Sequence, residues 1–384
     1  RLGYISPRPT RGPPTMDLLE YQGKQLFAGA GIAVPSGEPA TDVDGAVAAA
    51  DRIGYPCVIK AQVQIGGRGK AGGIKVAKDA EEARAHADAI IGMDIRGPRG
   101  EGPFRVHEVW IEEASDIDAE YYASIILDRS EKKALAILSR MGGMNVEEIA
   151  ENDPDALVQR HIDPRTGLSK DEAAQLAVDA GIDEDVVDGV AEILVKLAAA
   201  FDDLDATLIE VNPLIVTGSR EVVALDAKVT IDNAALFRHE DIAAFENPHD
   251  DDPQEQMAKE RGLTYVKLDG NVGILGNGAG LCMSTLDVVA NAGGKPANFL
   301  DAGGGSKADA IVDALEVITS DEKVTAVLFN IFGGITRCDE VAKGIIEAYA
   351  RVDMDVPLVV RLDGTNSEEG LRVLEEANLD GLEV

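Results

Sequence analysis

The sequence lacks the features that mark membrane, nucleic-acid-binding and disulfide-bonded proteins. It has no run of about 18 or more apolar residues, so we expect no membrane span. Its three cysteines, Cys57, Cys282 and Cys338, are widely spaced, which argues against a metal or disulfide framework and favours a reducing cytoplasm. The net charge of −33 disfavours nucleic acid and anionic membranes as partners. Acidity spread along the chain resembles the solvating surface of proteins from a high-salt cytoplasm.

The chain is too long for one ordinary core, and its patterns divide it into two folded regions. Residues 16–245 mix helical stretches with strands and predict an α+β region. Residues 246–262 are rich in acidic side chains and contain two prolines, and they predict a linker. In residues 263–384, strand, glycine-rich turn and helix alternate four times, as in an open parallel α/β sheet. We expect residues 1–15, which are basic and proline-rich, to be a disordered extension.

A glycine-rich stretch places two basic residues where a phosphate group can bind. "IGGRGKAGG", residues 65–73, follows a predicted buried strand, and its glycines let backbone N–H groups approach an anion. Arg68 and Lys70 supply positive charge, and Lys60 inside the strand needs an anionic partner or a route to solvent. The spacing is not that of a Walker loop. These residues predict a phosphate site; a mobile hairpin tip with solvated charges is the alternative.

The stretch "LIEVNPLIVTGSREVVALDAK" predicts a β-hairpin that carries a metal site. Its turn residues centre on Ser219, so Asn212 lies opposite Asp226, each seven residues away. An amide oxygen facing a carboxylate is a pair of hard oxygen ligands that suits Mg²⁺. Glu210 lies two residues from Asn212 and shares its face. A polar pair on a solvated sheet face is the alternative, because an error of one residue in the loop changes the register.

Glycine turns after the predicted parallel strands are candidate anion sites. In "DAGGGSKAD", residues 301–309, three glycines and Ser306 open a helix whose free N–H groups and dipole attract anions. "LGNGAG" and "FGGITRC" are similar turns, and the first does not match the GxGxxG motif of dinucleotide-binding proteins. Turns in parallel sheets are often rich in glycine, so an ordinary structural role stays open for each of them.

The histidines lie outside these glycine-rich segments. They are His86, His107, His161, His239 and His249. A histidine that takes part in phosphoryl transfer would therefore have to come from another chain.

From about Met16 onward, the sequence resembles the β-subunit family of succinate–CoA ligase, also called succinyl-CoA synthetase. The ordered signatures are "LLEYQGKQLF", "IKAQVQIGGRGKAGG", "IEVNPL", "ALDAK", "ALFRH", "NGAGL", "PANFLDAGGGS", "FNIFGGITRCD" and "VVRLDGTN". The resemblance implies an ATP-grasp region at 16–245 and a flavodoxin-like CoA-ligase domain at 263–384. It also leads us to expect a closing helix beyond the final "GLEV".

The resemblance implies an enzyme of the citric acid cycle that interconverts succinate, CoA and ATP with succinyl-CoA, ADP and phosphate. GTP and GDP stay open as the nucleotide pair, and Mg²⁺ accompanies the nucleotide. The phosphoryl group passes through a phosphohistidine on a CoA-binding α subunit, in an αβ or α₂β₂ assembly. Neither nucleic acid nor a membrane is expected as a partner, and the expected location is the cytoplasm.

Site residues of the family fall on matching positions of this sequence. The nucleotide contacts fall on Lys60, Gly67, Arg68, Gly69, Glu112, Ser115 and Glu120. The metal ligands fall on Asn212 and Asp226, and Glu210 matches the glutamate that assists histidine phosphorylation. The succinate side falls on Asn271, Gly334, Ile335 and Thr336. The helix that faces the phosphohistidine begins at Gly303, Gly304, Gly305 and Ser306.

Three other functions stay open on the sequence alone. A malate–CoA ligase β subunit has similar motifs, and comparing succinate with malate as substrates separates the two. A stand-alone ATP-grasp ligase that joins a carboxylate to an amine predicts ATP turnover by this chain without a partner. A non-catalytic nucleotide-binding or assembly protein predicts that Asp226→Ala leaves the assembly fully active.

Overall fold

The computed structural model contains two compact units, residues 1–247 and residues 248–384. The residues that it describes are 15–97, 102–245, 252–303, 308–352 and 355–384. The predicted extension lies outside them except for Thr15, which begins a strand. Within the described ranges, no helix is long and apolar enough to cross a membrane.

Unit 1, residues 1–247, has two main antiparallel sheets. Its strands are β1 (Thr15–Asp17), β2 (Gly37–Ala40), β3 (Cys57–Ala61), β4 (Ile74–Ala77), β5 (Asp94–Ile95), β6 (Phe104–Arg105), β7 (Val109–Glu113), β8 (Ile117–Asp128), β9 (Lys133–Ser139), β10 (Val158–His161), β11 (Ala206–Thr217), β12 (Val222–Ala224) and β13 (Lys228–Asp232). Its helices are α1 (Glu20–Gly29), α2 (Val43–Ile53), α3 (Ala80–Ile90), α4 (Val146–Asn152), α5 (Lys170–Asp179), α6 (Val187–Asp203) and α7 (Glu240–Ala243). The larger sheet has the order β1-β13-β11-β8-β9-β10, with β12 paired to β11; the smaller one has the order β2-β7-β3-β4.

Capped helices rich in alanine cover the smaller sheet. Asp42 and Asp79 precede α2 and α3, and each carboxylate accepts a hydrogen bond from a backbone N–H in the first turn. The buried face of α2 consists of Ala46, Ala49 and Ala50. Such small side chains let a helix lie close to the sheet beneath it. The two strands at the centre of that sheet, β3 and β7, thereby gain a rigid support.

Unit 2, residues 248–384, is a six-stranded sheet that is parallel except at one edge. Its strands are β14 (Thr264–Lys267), β15 (Val272–Gly276), β16 (Asn298–Asp301), β17 (Ala326–Gly333), β18 (Leu358–Gly364) and β19 (Leu382–Glu383). Its helices are α8 (Pro253–Glu260), α9 (Ala279–Asn291), α10 (Ala308–Thr319), α11 (Cys338–Tyr349) and α12 (Ser367–Ala377). The order is β14-β16-β15-β17-β18-β19, and β14 runs antiparallel to β16. The predicted fourfold alternation of strand and helix is confirmed, with an antiparallel edge strand added.

The predicted linker is partly helical. Its described part contains α8, which packs against β14 and α10. Asp252 accepts a hydrogen bond from the backbone N–H of Gln254, and Pro253 occupies the first helical turn, where its missing N–H costs nothing. The acidic residues and proline therefore mark the start of a helix. Residues 246–251 of the linker lie outside the described residues.

The net charge of −33 predicts that salt stabilises the fold. We expect the melting temperature to rise by several degrees between about 0.1 M and about 1 M KCl, because screening weakens repulsion among carboxylates. Scanning calorimetry of the full chain measures this. Chlorides of different monovalent cations should give the same rise. A melting temperature that stays constant or falls over this range would contradict the prediction.

Candidate functional site

Three basic and three acidic side chains meet in unit 1, where the smaller sheet approaches the larger one. We call them the ion cluster: Glu20, Lys24, Lys60, Arg68, Glu112 and Asp226. Lys60 on β3 and Glu112 on the neighbouring β7 belong to the smaller sheet. Glu20 comes from α1, and Asp226 lies between β12 and β13 of the larger sheet. The other members are almost fully buried, whereas the side chain of Asp226 is 32% exposed.

Lys60 is bound by carboxylates of the chain itself. Its Nζ lies 3.0 Å from Glu20 Oε1 and 2.6 Å from Glu112 Oε1, and it donates to the backbone oxygen of Leu225 at 3.1 Å. Burial alone would lower the pKa of Lys60, but the attraction of Glu20 and Glu112 raises it above its usual value. The sequence indicated that this lysine needs an anionic partner or a route to solvent. Protein carboxylates fill that role here, so a phosphate would be an additional partner.

Arg68 turns inward from the glycine loop. Its Nη1 lies 2.5 Å from Glu20 Oε2, and its Nη2 donates to both oxygens of Asp226 at 3.0 and 3.1 Å. Lys70, by contrast, is 70% exposed and lies 3.9 Å from Glu148. The loop therefore brings one of its two cations to the ion cluster and leaves the other near the surface.

Two glycines allow the loop to take this course. Gly67 has a φ of 77°, a conformation that L side chains rarely adopt. A Cβ on Gly73 would lie 2.8 Å from Ile95 Cδ1 and 3.0 Å from Ala61 Cβ, so the loop closes against β3 only with glycine there. Gly69 accepts a backbone hydrogen bond from the N–H of Gly72 at 3.1 Å.

The other predicted nucleotide contacts differ in exposure. Glu112 is fully buried, pairs with Lys24, and accepts a hydrogen bond from Trp110 Nε1 at 2.9 Å. Ser115 is half-buried in the segment between β7 and β8, and Glu120 on β8 is exposed. Glu113, the next residue of β7, is exposed. Because side chains alternate between the two faces of a strand, the carboxylate of Glu112 lies in the ion cluster and that of Glu113 faces solvent.

The predicted hairpin register is confirmed. Leu214 pairs with Ala224 and Val216 with Val222, which centres the turn on Ser219. Further along, Glu210 pairs with Lys228 of β13, a pairing with the same centre. Asn212 and Asp226 therefore occupy matching positions between these two paired segments.

The side chains of Asn212 and Asp226 each offer oxygen atoms of the kind that a hard metal ion prefers. Asp226 already contacts a cation, the guanidinium of Arg68. Asn212 Oδ1 accepts one hydrogen bond, from the N–H of Gly143 at 2.8 Å, and an amide oxygen has a second lone pair. In the part of the chain that the structure describes, no group of three or more His, Cys, Asp or Glu side chains could hold a metal ion. Such a pair suits Mg²⁺, which takes many of its ligands from water and phosphate.

Glu210 lies on β11 with its carboxylate largely buried. Burial raises its pKa, while the cross-strand Lys228 and a hydrogen bond from Tyr122 act in the opposite direction. The hydroxyl of Tyr122 donates to Glu210 Oε2 at 3.0 Å and also lies 3.0 Å from Ser124 Oγ. Two neighbouring strands thus fix the orientation of this carboxylate.

Replacing Tyr122 by phenylalanine tests that orientation. We expect turnover to fall by about 10-fold while the KM for ATP stays nearly constant, because a hydrogen bond to a charged group contributes about 1.5 kcal/mol. Tyr121→Phe is the matched control, because Tyr121 immediately precedes Tyr122 on β8 and its side chain points to the opposite face of the sheet. Steady-state kinetics of the two variants provides the measurement. Equal losses in both variants would show that Tyr122 has no special role.

Asn271 and the segment Gly334–Thr336, both predicted on the succinate side, lie at opposite ends of the unit 2 sheet, so the structure does not bring them together. Asn271 precedes β15, and its amide donates to Thr325 Oγ1 at 3.1 Å just before β17. Gly334 follows the carboxyl end of β17, which runs parallel to β15. At about 3.3 Å per residue, the eight residues of β17 separate the two by roughly 25 Å.

A different asparagine, Asn277, lies at the same end of the sheet as Gly334–Thr336. It follows β15 at the carboxyl end of the sheet and bonds twice to the backbone of Phe332, through Nδ2 to the oxygen and through Oδ1 from the N–H, both at 2.8 Å. The segment Gly334–Thr336 begins two residues after Phe332. The signal was present in the sequence: "GNGAG" is itself a turn after a strand, and ligands of such sheets bind beyond the carboxyl ends.

The glycine turn after β16 is described only at its start. Asp301 Oδ1 accepts hydrogen bonds from the backbone N–H groups of Gly278 at 2.6 Å and Gly303 at 2.8 Å, which ties two neighbouring turns together. Gly303 has a φ of 68°. The other residues of the predicted phosphohistidine-facing segment, Gly304, Gly305 and Ser306, lie outside the described residues.

Two protein-family descriptions match the chain. The ATP-grasp domain matches residues 17–216, and the CoA-ligase domain matches residues 275–383. These regions correspond to unit 1 and unit 2.

The chain is also similar to curated β subunits of ADP-forming succinate–CoA ligase. It is 53% identical to the protein from Natronomonas pharaonis over 360 residues, which cover 94% of this chain and 93% of that protein. It is 51% identical to the protein from Rubrobacter xylanophilus over 361 residues, with the same coverage. The corresponding protein from Halorubrum lacusprofundi is 50% identical over 371 residues, 96% of this chain and 95% of its own length.

Solved structures share the fold at low sequence identity. ATP citrate lyase from Methanothrix soehngenii, in complex with citrate and coenzyme A, matches with a TM-score of 0.72 at 20% identity. A mutant ATP citrate lyase from Methanosaeta concilii, in complex with (3S)-citryl-CoA, matches with a TM-score of 0.76 at 19% identity. Both matches cover 97% of this chain and 96% of the other chain.

Proposed function

The chain belongs to the family of ADP-forming succinate–CoA ligase β subunits, and from that membership we propose how its residues divide the reaction between them. It is a subunit of an acid–thiol ligase: succinate, CoA and ATP give succinyl-CoA, ADP and phosphate, a step of the tricarboxylic acid cycle. The relatives reported above are named as succinate–CoA ligases, so the malate-specific, single-chain and non-catalytic alternatives are not favoured.

The observation that carries the proposal is the ion cluster with its partly exposed Asp226. A chain with a net charge of −33 repels a nucleotide at long range, so a phosphate site in it needs a local group of cations. Lys60 and Arg68 form such a group, since both contact Glu20, and Gly67 and Gly69 flank Arg68 in the loop. We assign the phosphates to these four residues, and the remaining nucleotide contacts to Glu112, Ser115 and Glu120.

Asn212 and Asp226 would hold Mg²⁺, which when bound neutralises charge on the migrating phosphoryl group. The backbone of Gly143 and Met144 keeps the Asn212 amide in one orientation through two hydrogen bonds of 2.8 Å. To hold the ion, Asp226 would give up its contact with Arg68, which would leave the guanidinium available to the phosphates.

Glu210 serves the transfer of the phosphoryl group to a histidine of the α subunit. Its carboxylate accepts a hydrogen bond from Tyr122, which leaves the other oxygen to orient an incoming imidazole by accepting from its ring N–H. Positioning of this kind is the main task of a protein in phosphoryl transfer. We keep the sequence-based assignment of the glycine segment 303–306 to the phosphohistidine as part of the proposal.

The succinate side is assigned to Asn277 and Gly334–Thr336 at the carboxyl end of the unit 2 sheet. Phe332 and Ile335 at this end are 56% and 95% exposed, and exposed apolar side chains of this kind favour cover by another chain. We propose that the covering chain is the CoA-binding α subunit, in an αβ or α₂β₂ assembly. The three free cysteines, all buried, suit a cytoplasmic location.

Co-expression with a candidate α subunit tests the function. We expect thioester formation from succinate, CoA and ATP by the purified assembly, and much less with malate in place of succinate. The isolated chain should turn over essentially no ATP. Equal rates with malate would favour the malate enzyme, and ATP turnover by the chain alone would overturn the two-subunit proposal.

A further inference from the structure

Glu20 contacts three cations although it belongs to none of the predicted site segments. Its Oε1 lies 2.7 Å from Lys24 Nζ and 3.0 Å from Lys60 Nζ, and its Oε2 lies 2.5 Å from Arg68 Nη1. The side chain is 2% exposed. One carboxylate at the start of α1 therefore joins the strand lysine to the loop arginine.

The charges of the ion cluster explain why this carboxylate matters. Lys60 and Arg68 are long, flexible side chains, and burying them without counter-ions is strongly unfavourable. Burial would raise the pKa of Glu20, but Arg68, Lys24 and Lys60 together lower it well below the usual value, so Glu20 stays ionised. It can therefore hold both cations in fixed positions before any ligand arrives.

Besides Glu20, Lys60 and Arg68 each contact a second carboxylate, and these two carboxylates differ in solvent exposure. Lys60 also contacts Glu112, which is fully buried, whereas Arg68 also contacts Asp226, which is 32% exposed. An incoming phosphate can replace Asp226 at Arg68 without moving Glu20. Three cations then face the two remaining carboxylates, Glu20 and Glu112, and the excess positive charge is directed at the phosphate.

We propose that Glu20 is a positioning residue of the nucleotide site. It holds Lys60 and Arg68 side by side as a fixed counter-ion, while Asp226 is the counter-ion that exchanges for phosphate. This inference rests on the proposed function, since it assumes that the two cations bind the phosphates of ATP and ADP.

Glu20→Gln tests the inference, because glutamine keeps the shape of the side chain and removes its charge. We expect the Kd for ADP in the presence of Mg²⁺ and the KM for ATP to rise by at least about 10-fold in the assembly with the α subunit. The KM values for succinate and CoA should stay within about twofold, a split that general destabilisation would not produce. Glu38→Gln is the matched control, because Glu38 pairs with Arg52 on the surface of the same unit. It should leave all these constants unchanged.

Calorimetric titration with ADP and Mg²⁺ separates the outcomes. If the wild-type assembly binds ADP and Glu20→Gln binds it equally well, the inference fails and the proposed function stands. If the wild-type assembly binds no ADP, both fail. Should Glu20→Gln not fold, Glu20→Asp provides the same comparison, because it withdraws the carboxylate from Lys60 and Arg68 by one methylene while keeping the charge. An unchanged ADP affinity in a folded Glu20→Asp variant would then overturn the inference.

Discussion

The Asp226→Ala assembly is expected to lose at least about 1,000-fold in turnover, together with the part of ADP binding that depends on Mg²⁺. Two losses combine in this variant. The metal ion would lose the carboxylate ligand that we propose for it, which would leave the amide of Asn212 as the protein ligand from the hairpin. Arg68 also loses the partner that keeps it at the mouth of the ion cluster, where both contacts are 3.0 to 3.1 Å long.

Asp226→Asn separates the two losses. It keeps the shape of the side chain and an oxygen that can accept from the backbone N–H of Ala227, as Asp226 does at 2.7 Å, but it removes the charge. We expect it to show most of the loss in turnover. Glu221→Ala at the exposed tip of the same hairpin is the control and should retain full activity. Calorimetry with ADP, with and without Mg²⁺, supplies the readout; full activity of Asp226→Ala would favour a non-catalytic role for the chain.

Glu210→Gln is expected to slow phosphorylation of the α subunit by about 100- to 1,000-fold while the affinity for ADP changes by less than about twofold. The reason is the position of Glu210: it lies on β11, two residues from Asn212, but it contacts Tyr122 and faces Lys228 rather than the cations of the ion cluster. Loss of its charge should therefore affect the transfer step and spare nucleotide binding.

Single-turnover transfer of labelled phosphate from ATP measures this step directly. Glu210→Asp keeps the charge on a shorter side chain and should recover part of the rate. A Glu210→Gln assembly that phosphorylates its α subunit at the wild-type rate would remove Glu210 from the mechanism. A large loss of ADP affinity would instead place it among the nucleotide contacts.

The fold was largely predictable because its signals are local. Strand–turn–helix alternation in unit 2 and the turn residues around Ser219 depend on neighbours in sequence. The register of the hairpin follows from the symmetry of its turn and the two-residue period of strands, which is why Asn212 and Asp226 were matched correctly. The start of α8 was missed because Asp252 and Pro253 suit a loop and a helix start equally well.

The ion cluster was not predictable in the same way. Glu20 lies 40 residues from Lys60 and 48 from Arg68, and only the packing of α1 beside β3 brings them together. In the sequence, Glu20 and Lys24 look like an ordinary surface pair one helical turn apart. Asn277, by contrast, was within reach of the sequence, because it follows the strand Val272–Gly276 whereas Asn271 precedes it, and ligands of such sheets bind beyond the carboxyl ends of the strands.

Transfer of labelled phosphate is the measurement that tests the central claim most directly. The purified assembly with its α subunit is incubated with Mg²⁺ and ATP labelled in the γ-phosphate, and the two chains are then separated. The account predicts acid-labile label on a histidine of the α subunit in the wild-type assembly, and almost none in the Asp226→Ala assembly. Label on the present chain, or an α subunit that stays unlabelled although the assembly forms succinyl-CoA, would contradict it.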